Sequence, residues 1–170
     1  ITAPIVINIA SSSQAASGID LGGAKLFSQI ADGRPVMALI VAPGVEVGDL
    51  MLSNFSIIGN GTEAAGIRIV ADGADRSANI DVSHVNIEHV GGVGLDVVGN
   101  VHGTVFDSWM HGNDGGGARF AGTSGGVLPA DLEWIGGGFR KNGGAGLILD
   151  DGAYDMTVRG AYFVENEGPG

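Results

Sequence analysis

Short Val- and Ile-rich segments, a glycine-punctuated repeat of 23 to 30 residues and a scarcity of helix formers predict an all-β chain. The fold class they point to is a right-handed parallel β-helix (β-solenoid) of about six coils. The chain has 170 residues, of which 44% are apolar, so it can bury a core and is neither disordered nor membrane-spanning in composition. Glycine is the outlier at 32 residues, without the strict period of collagen. The glycines cluster with Asn and Asp between apolar runs, where turns need positive φ.

Four segments carry the repeat: Gly66-Ile67-Arg68-Ile69-Val70, Gly94-Leu95-Asp96-Val97-Val98, Gly117-Ala118-Arg119-Phe120-Ala121 and Gly146-Leu147-Ile148-Leu149-Asp150. Their starts lie 28, 23 and 29 residues apart. A second series interleaves with them: Leu52–Phe55, Val82–Val85, Phe106–Trp109, Trp134–Gly137 and Val158–Ala161. A leucine-rich repeat would show a regular Leu/Asn consensus, and a propeller blade needs roughly 40 to 50 residues. Uneven spacing with no intervening helix leaves the β-helix. Asn60, Asn113, Asn142 and Asn166 recur before the glycine-rich turns, with Val90 breaking the row. Stacking would set these amides above one another, able to pair. Residues 1–170 read as a single domain. Residues 1–34 form a less regular early coil, with Ile5, Ile7 and Ile9 on a strand and a loop at 11–18. The chain starts on Ile1 rather than Met and is expected to be a piece of a longer one, with open ends that invite chain-to-chain stacking.

Period-two alternation assigns the faces. Ile67, Ile69, Leu95, Val97, Ala118, Phe120, Leu147 and Leu149 are expected in the core. Arg68, Asp96, Arg119 and Ile148 then share one outward column, and Val70, Val98, Ala121 and Asp150 the next. The Arg–Asp–Arg stack reads as a sugar-binding face. Arg68, Arg119 and Asp150 would bind substrate, and Asp96 would be the candidate catalytic acid or base. The competing reading is a salt-bridge ladder on a solvated sheet, typically worth only about 0.2–1 kcal/mol per pair. The formal charge of −11 excludes nucleic acid as an expected partner, and no run is apolar enough to predict a membrane span. An anionic polymer would be held only where local arginines offset that charge.

Other motifs are weaker. Gly91–Gly99 matches one copy of a calcium-binding nonapeptide that needs tandem copies, and Asp72 and Asp75 share a turn. No cofactor is expected, calcium being the one ion these carboxylates suggest, and no metal site is assigned. His84, His89, His102 and His111 lack metal-ligand spacing, although His84 falls near Asp107 and Ser108 by alignment, where a general base is conceivable. Gly122-Thr123-Ser124-Gly125 is turn material rather than a nucleophile elbow. Trp109 and Trp134 align on consecutive coils, as a sugar platform or as core.

The stretch from Asp72-Gly73-Ala74-Asp75-Arg76 to Ala121, about 50 residues, resembles the catalytic β-helix of bacterial mannuronan C5-epimerases, within the pectate lyase-like superfamily. Where that family carries Tyr-Gly-Phe-Asp-Pro-His-Glu, this chain has Val93-Gly94-Leu95-Asp96-Val97-Val98-Gly99. Asp96 and Gly94 are kept. The family's Tyr falls on Val93 and its His on Val98, and neither can move a proton. The resemblance therefore implies the fold and a groove, and argues against epimerase chemistry. The functional expectation is a secreted or cell-surface β-helix that binds a polysaccharide or oligosaccharide along an outer sheet face, as a lyase-, hydrolase- or epimerase-like domain. The alternative is a non-catalytic binding, adhesion or tailspike-like module.

Overall fold

The structure, a computed structural model, describes residues 1–11, 18–71, 78–123, 129–150, 152–153 and 155–168. Among the described residues there are strands and no helix: β1 (Ile5–Ile9), β2 (Gly18–Phe27), β3 (Met37–Val41), β4 (Val47–Ile58), β5 (Ala65–Ala71), β6 (Ala78–Glu88), β7 (Val93–Gly99), β8 (Val101–Phe106), β9 (Trp109–His111), β10 (Gly116–Ala121), β11 (Leu132–Ile135), β12 (Gly138–Arg140), β13 (Leu147–Asp150), β14 (Met156–Arg159) and β15 (Tyr162–Val164). They form two sheets, and every pairing is parallel. The first runs β1-β3-β5-β7-β10-β13. The second begins β2-β4-β6. It then divides, β6 pairing with both β8 and β9, and each branch continues in chain order to β14 and β15. The chain thus alternates between the sheets, adding one tier to each as it goes.

On the first sheet the expected columns are found. Val6, Ala38, Arg68, Asp96, Arg119 and Ile148 lie in register, and Asn8, Ile40, Val70, Val98, Ala121 and Asp150 form the next row, in which Ala121 is fully buried. Between them Ile67, Ile69, Leu95, Val97, Ala118 and Phe120 are buried against the core residues of the second sheet. Leu147 is only half-buried, and Leu149 is 50% exposed, contrary to expectation. They continue the rows of Ala118 and Phe120, but among the described residues β13 has a paired strand on one side only. Phe163 on β15 is exposed for the same reason.

The repeat glycines act through lack of space rather than through turn geometry. A Cβ on Gly117 would stand 2.2 Å from the carbonyl oxygen of Gly146 and 2.5 Å from the Phe139 ring, so the tiers close only over a bare Cα.

The asparagine row is realised mainly as side chain to backbone. The Asn113 Oδ1 accepts from the Val90 N–H (3.2 Å), Asn142 Oδ1 from the Asn113 N–H (3.1 Å) and Asn166 Oδ1 from the Asn142 N–H (3.2 Å). Each Nδ2 donates to a core-strand carbonyl one tier back: Ile87, Met110 and Phe139 in turn. One amide-to-amide bond is present, Asn142 Nδ2 to Asn166 Oδ1 at 2.8 Å. Asn113 and Asn142 are fully buried. Where Val90 interrupts the row it offers no acceptor to Asn60. The Asn60 N–H turns instead to the buried Glu63 carboxylate (3.0 Å), which also accepts from Thr62.

Leu95→Ala is expected to cost about 2–5 kcal/mol in urea denaturation, against less than about 0.5 kcal/mol for Leu149→Ala at the uncovered end. Asn142→Ala strands the buried Asn113 N–H and the Met110 carbonyl, and should cost about 1–3 kcal/mol by the same measurement.

Candidate functional site

The second sheet has a corner that splits its strands. Along it Asn54 (φ 57°), His84 (φ 53°), Asp107 (φ 42°) and Gly136 (φ 69°) each adopt the left-handed conformation, and the chain turns there on successive tiers. Asn, His and Asp are the non-glycine residues that tolerate this region best, which explains their placement in the row. At the corner the Ser108 hydroxyl, fully buried, accepts from the Val85 N–H (3.1 Å) and donates to the Phe106 carbonyl (3.0 Å), replacing strand pairing that the bend interrupts.

Beyond the corner two outward rows run across the sheet. One is Lys25, Ser56, Asn86, Trp109, Gly138 and Tyr162. The other is Phe27, Ile58, Glu88, His111, Arg140 and Val164. Gly138 matters because it leaves nothing between the residues on either side. Trp109 and Tyr162, two tiers apart, meet nearly parallel across it, with centroids 6.1 Å apart and planes 10° from each other. A Cβ on Gly138 would stand 2.2 Å from the Tyr162 carbonyl oxygen. Tyr162 is 63% exposed and offers a ring face to solvent.

An open cleft of about 450 Å³ lies beside this pair, lined by Lys25, Ser56, Asn86, Ile87, Glu88, Trp109, His111 and Arg140. The Glu88 carboxylate sits 3.7 Å from His111 Nδ1 and 3.9 Å from His89 Nδ1. A second cleft of similar volume adjoins it at the corner, walled by Asp20, Asn54, His84, Ser56 and Asn86. Asp20 accepts from the Gly22 N–H and from Asn54 Nδ2, both at 2.8 Å. These bonds, Gly22 first, hold its carboxyl below the ordinary carboxylate range.

The column named from sequence lies on the first sheet. Arg68 Nε is 3.5 Å from Asp96 Oδ2, and Arg119 Nη1 is 3.3 Å from Asp96 Oδ1. Arg119 also grips Asp150 Oδ2 through Nη2 (3.2 Å) and Nε (3.4 Å). Asp96 is only 6% exposed and engages a guanidinium on each side. The four residues are brought together as a ladder, and beside Arg68 the face is an apolar hollow of Val6, Pro35, Ala38, Ile40 and Val70.

Other readings need correction. Trp109 and Trp134 do not share a column: Trp134 is paired with Val105 and Val158 and is fully buried, its indole N–H donating to the Gly136 carbonyl (3.0 Å), while Trp109 faces out between Asn86 and Gly138. The second repeat series was one residue out at its third member. Val82 lies opposite Val105, so Ser83 meets Phe106, which points outward. His84 does align with Asp107, with Nε2 3.9 Å from Oδ2 and its ring edge-on to Phe106, but Ser108 is turned into the core. Among the described residues no three His, Asp or Glu converge as metal ligands. Asp72, Asp75 and Ser124 lie outside the described residues.

Glu88, Arg140, Asn86 and Lys25 were missed because the alternation of their strands is interrupted at the corner. The signal available was the Asn86-Ile87-Glu88, Trp109-Met110-His111 and Gly138-Phe139-Arg140 series, each with a buried apolar centre followed by a charged residue or histidine.

Double-mutant cycles should separate the ladder's two kinds of pair. The Asp96–Arg119 coupling is expected to exceed that of Arg119–Asp150, whose Asp150 side chain is about half exposed and whose pairing should fall within about 0.2–1 kcal/mol. In a carboxyl NMR titration Asn54→Ala should raise the Asp20 pKa part of the way toward its ordinary value, because the Gly22 N–H remains.

In comparisons with known proteins, no family model, no curated protein and no solved structure matches this chain.

Proposed function

We propose that the chain forms a right-handed parallel β-helix of about six coils, of the pectate lyase-like kind, that binds a sugar chain along an outer sheet face. The repeated return of the chain from one parallel sheet to the other supports the coiled reading. The handedness follows from the general right-handedness of parallel crossovers. A secreted or cell-surface location is part of the same proposal.

The single observation that carries the binding reading is the Trp109–Tyr162 pair at the edge of a polar cleft. Aromatic faces take the apolar faces of sugar rings. Ser56, Asn86, Glu88, His111 and Arg140 supply donors and acceptors of both kinds for hydroxyls. Catalysis is not required by this arrangement, and binding is the function assigned to it. The first-sheet column of Arg68, Asp96 and Arg119, with Asp150 from the neighbouring row, is the second reading for the sugar site, supported by its guanidinium forks. A ligand there would have to compete with carboxylates already within 3.2–3.5 Å of those forks.

Trp109→Ala and Arg140→Ala should each weaken oligosaccharide binding about tenfold in isothermal titration while leaving the melting temperature nearly unchanged. The probes are neutral β-1,4-glucan and α-1,4-galacturonan oligosaccharides. The Arg68→Gln, Arg119→Gln double variant should bind as the unaltered protein does. Loss of binding in that variant alone would return the site to the first sheet.

A further inference from the structure

The two clefts on the second sheet share the side chains of Ser56 and Asn86. They lie on either side of one row, so a ligand leaving one passes over these two residues into the other. Together they run obliquely from Arg140 on β12 to Asp20 on β2, a distance of four tiers, or about 19 Å at the strand spacing of a sheet.

The two halves differ in charge. The Trp109 half carries Lys25, Arg140 and His111 beside Glu88. The corner half carries Asp20 with Asn54, His84, Ser56 and Asn86, and among the described residues no Lys or Arg lines it. Asp20 is anchored at both oxygens, Oδ1 by the Gly22 N–H and Oδ2 by Asn54, and so faces the cleft as a fixed acceptor. Such a carboxylate accepts from sugar hydroxyls and repels a sugar carboxylate or sulfate.

Resting on the glycan reading of this groove, we propose that the two clefts form one continuous track for a single oligosaccharide, and that the unit in the corner half is a neutral sugar held through its hydroxyls by Asp20, Asn54 and His84. An acidic unit is accommodated only in the Trp109 half, where Lys25 and Arg140 stand. The track thereby selects neutral or mixed glycans against uniformly anionic ones.

The test is calorimetric, with the intact chain and two size series from disaccharide to hexasaccharide: neutral β-1,4-glucan and uniformly anionic α-1,4-galacturonan. The neutral series should tighten with length by about tenfold, and His84→Ala or Asn54→Ala should abolish that gain while sparing the disaccharide. The galacturonan series should gain nothing from length in the unaltered protein, and Asp20→Asn should restore a gain of about the same size. Circular dichroism melts on each variant exclude unfolding as the cause. A galacturonan hexasaccharide that gains from length as the neutral one does, or that is indifferent to Asp20→Asn, overturns the proposal while leaving sugar binding in place. Length-independent binding of the neutral series overturns the single track. Absence of binding in both series overturns this inference and the proposed function together.

Discussion

In-register parallel hydrogen bonding between successive tiers is the constraint on which the rest of this structure depends. A parallel ladder places each residue beside the residue of the same phase on the next strand. Any choice made at one position of a tier is therefore repeated, or must be accommodated, directly above and below. The core is a set of such rows. Ile57, Ile87, Met110, Phe139 and Phe163 form one, and the contact of Phe139 with both Trp134 (4.4 Å between centroids) and Phe163 (4.8 Å) shows aromatic rings carrying the row onward. The tiers must also close tightly where the strands of the first sheet begin, and that closure is what excludes a side chain at Gly117.

Buried backbone groups at the turn are the cost of this arrangement, because the chain leaves one sheet before it joins the next. The asparagine row meets that cost with one residue per tier: an amide is the side chain that both accepts from an N–H and donates to a carbonyl. Its interruption is instructive. Where Val90 stands in the row, Asn60 loses its acceptor from the next tier, and Glu63 folds back to supply a carboxylate from within the same turn. A buried carboxylate is tolerated because two backbone N–H groups converge on it.

The two outer faces use charge in opposite ways. On the first sheet, guanidinium and carboxylate alternate along a row and satisfy one another, with Asp96 almost covered between two arginines. On the second, Lys25, Glu88, His111 and Arg140 surround an open cleft, and a near-parallel aromatic pair stands at its edge. For a chain of net charge −11, the second face keeps its cations directed at solvent while holding a fixed carboxylate at the corner. The proposed discrimination between hydroxyls and anions rests on this distribution of charge. A self-neutralising ladder chiefly stiffens the sheet beneath it.

From the sequence alone, the all-β character, the strands β5, β7, β10 and β13 of the first sheet, their register and the Arg68–Asp96–Arg119 column could be read. There the alternation is uninterrupted, and glycine marks each of the four segments at the same phase. The asparagine row could be read as a row, though not its bonding, since the choice between amide and backbone partners depends on which groups the turn leaves bare. Leu149 shows the limit of a periodic pattern, which assigns a direction to a side chain but not a neighbour to cover it. The cleft was decided by tertiary structure. A left-handed residue at the corner shifts the phase of alternation within each strand of the second sheet, so Trp109 and Trp134 look equivalent in sequence and yet lie on opposite sides of the sheet. Tyr162 comes to Trp109 only because tiers 24 to 29 residues long stack in space and Gly138 leaves the gap between them open. Such proximity depends on the stacking of distant segments, and no local pattern of residues records it.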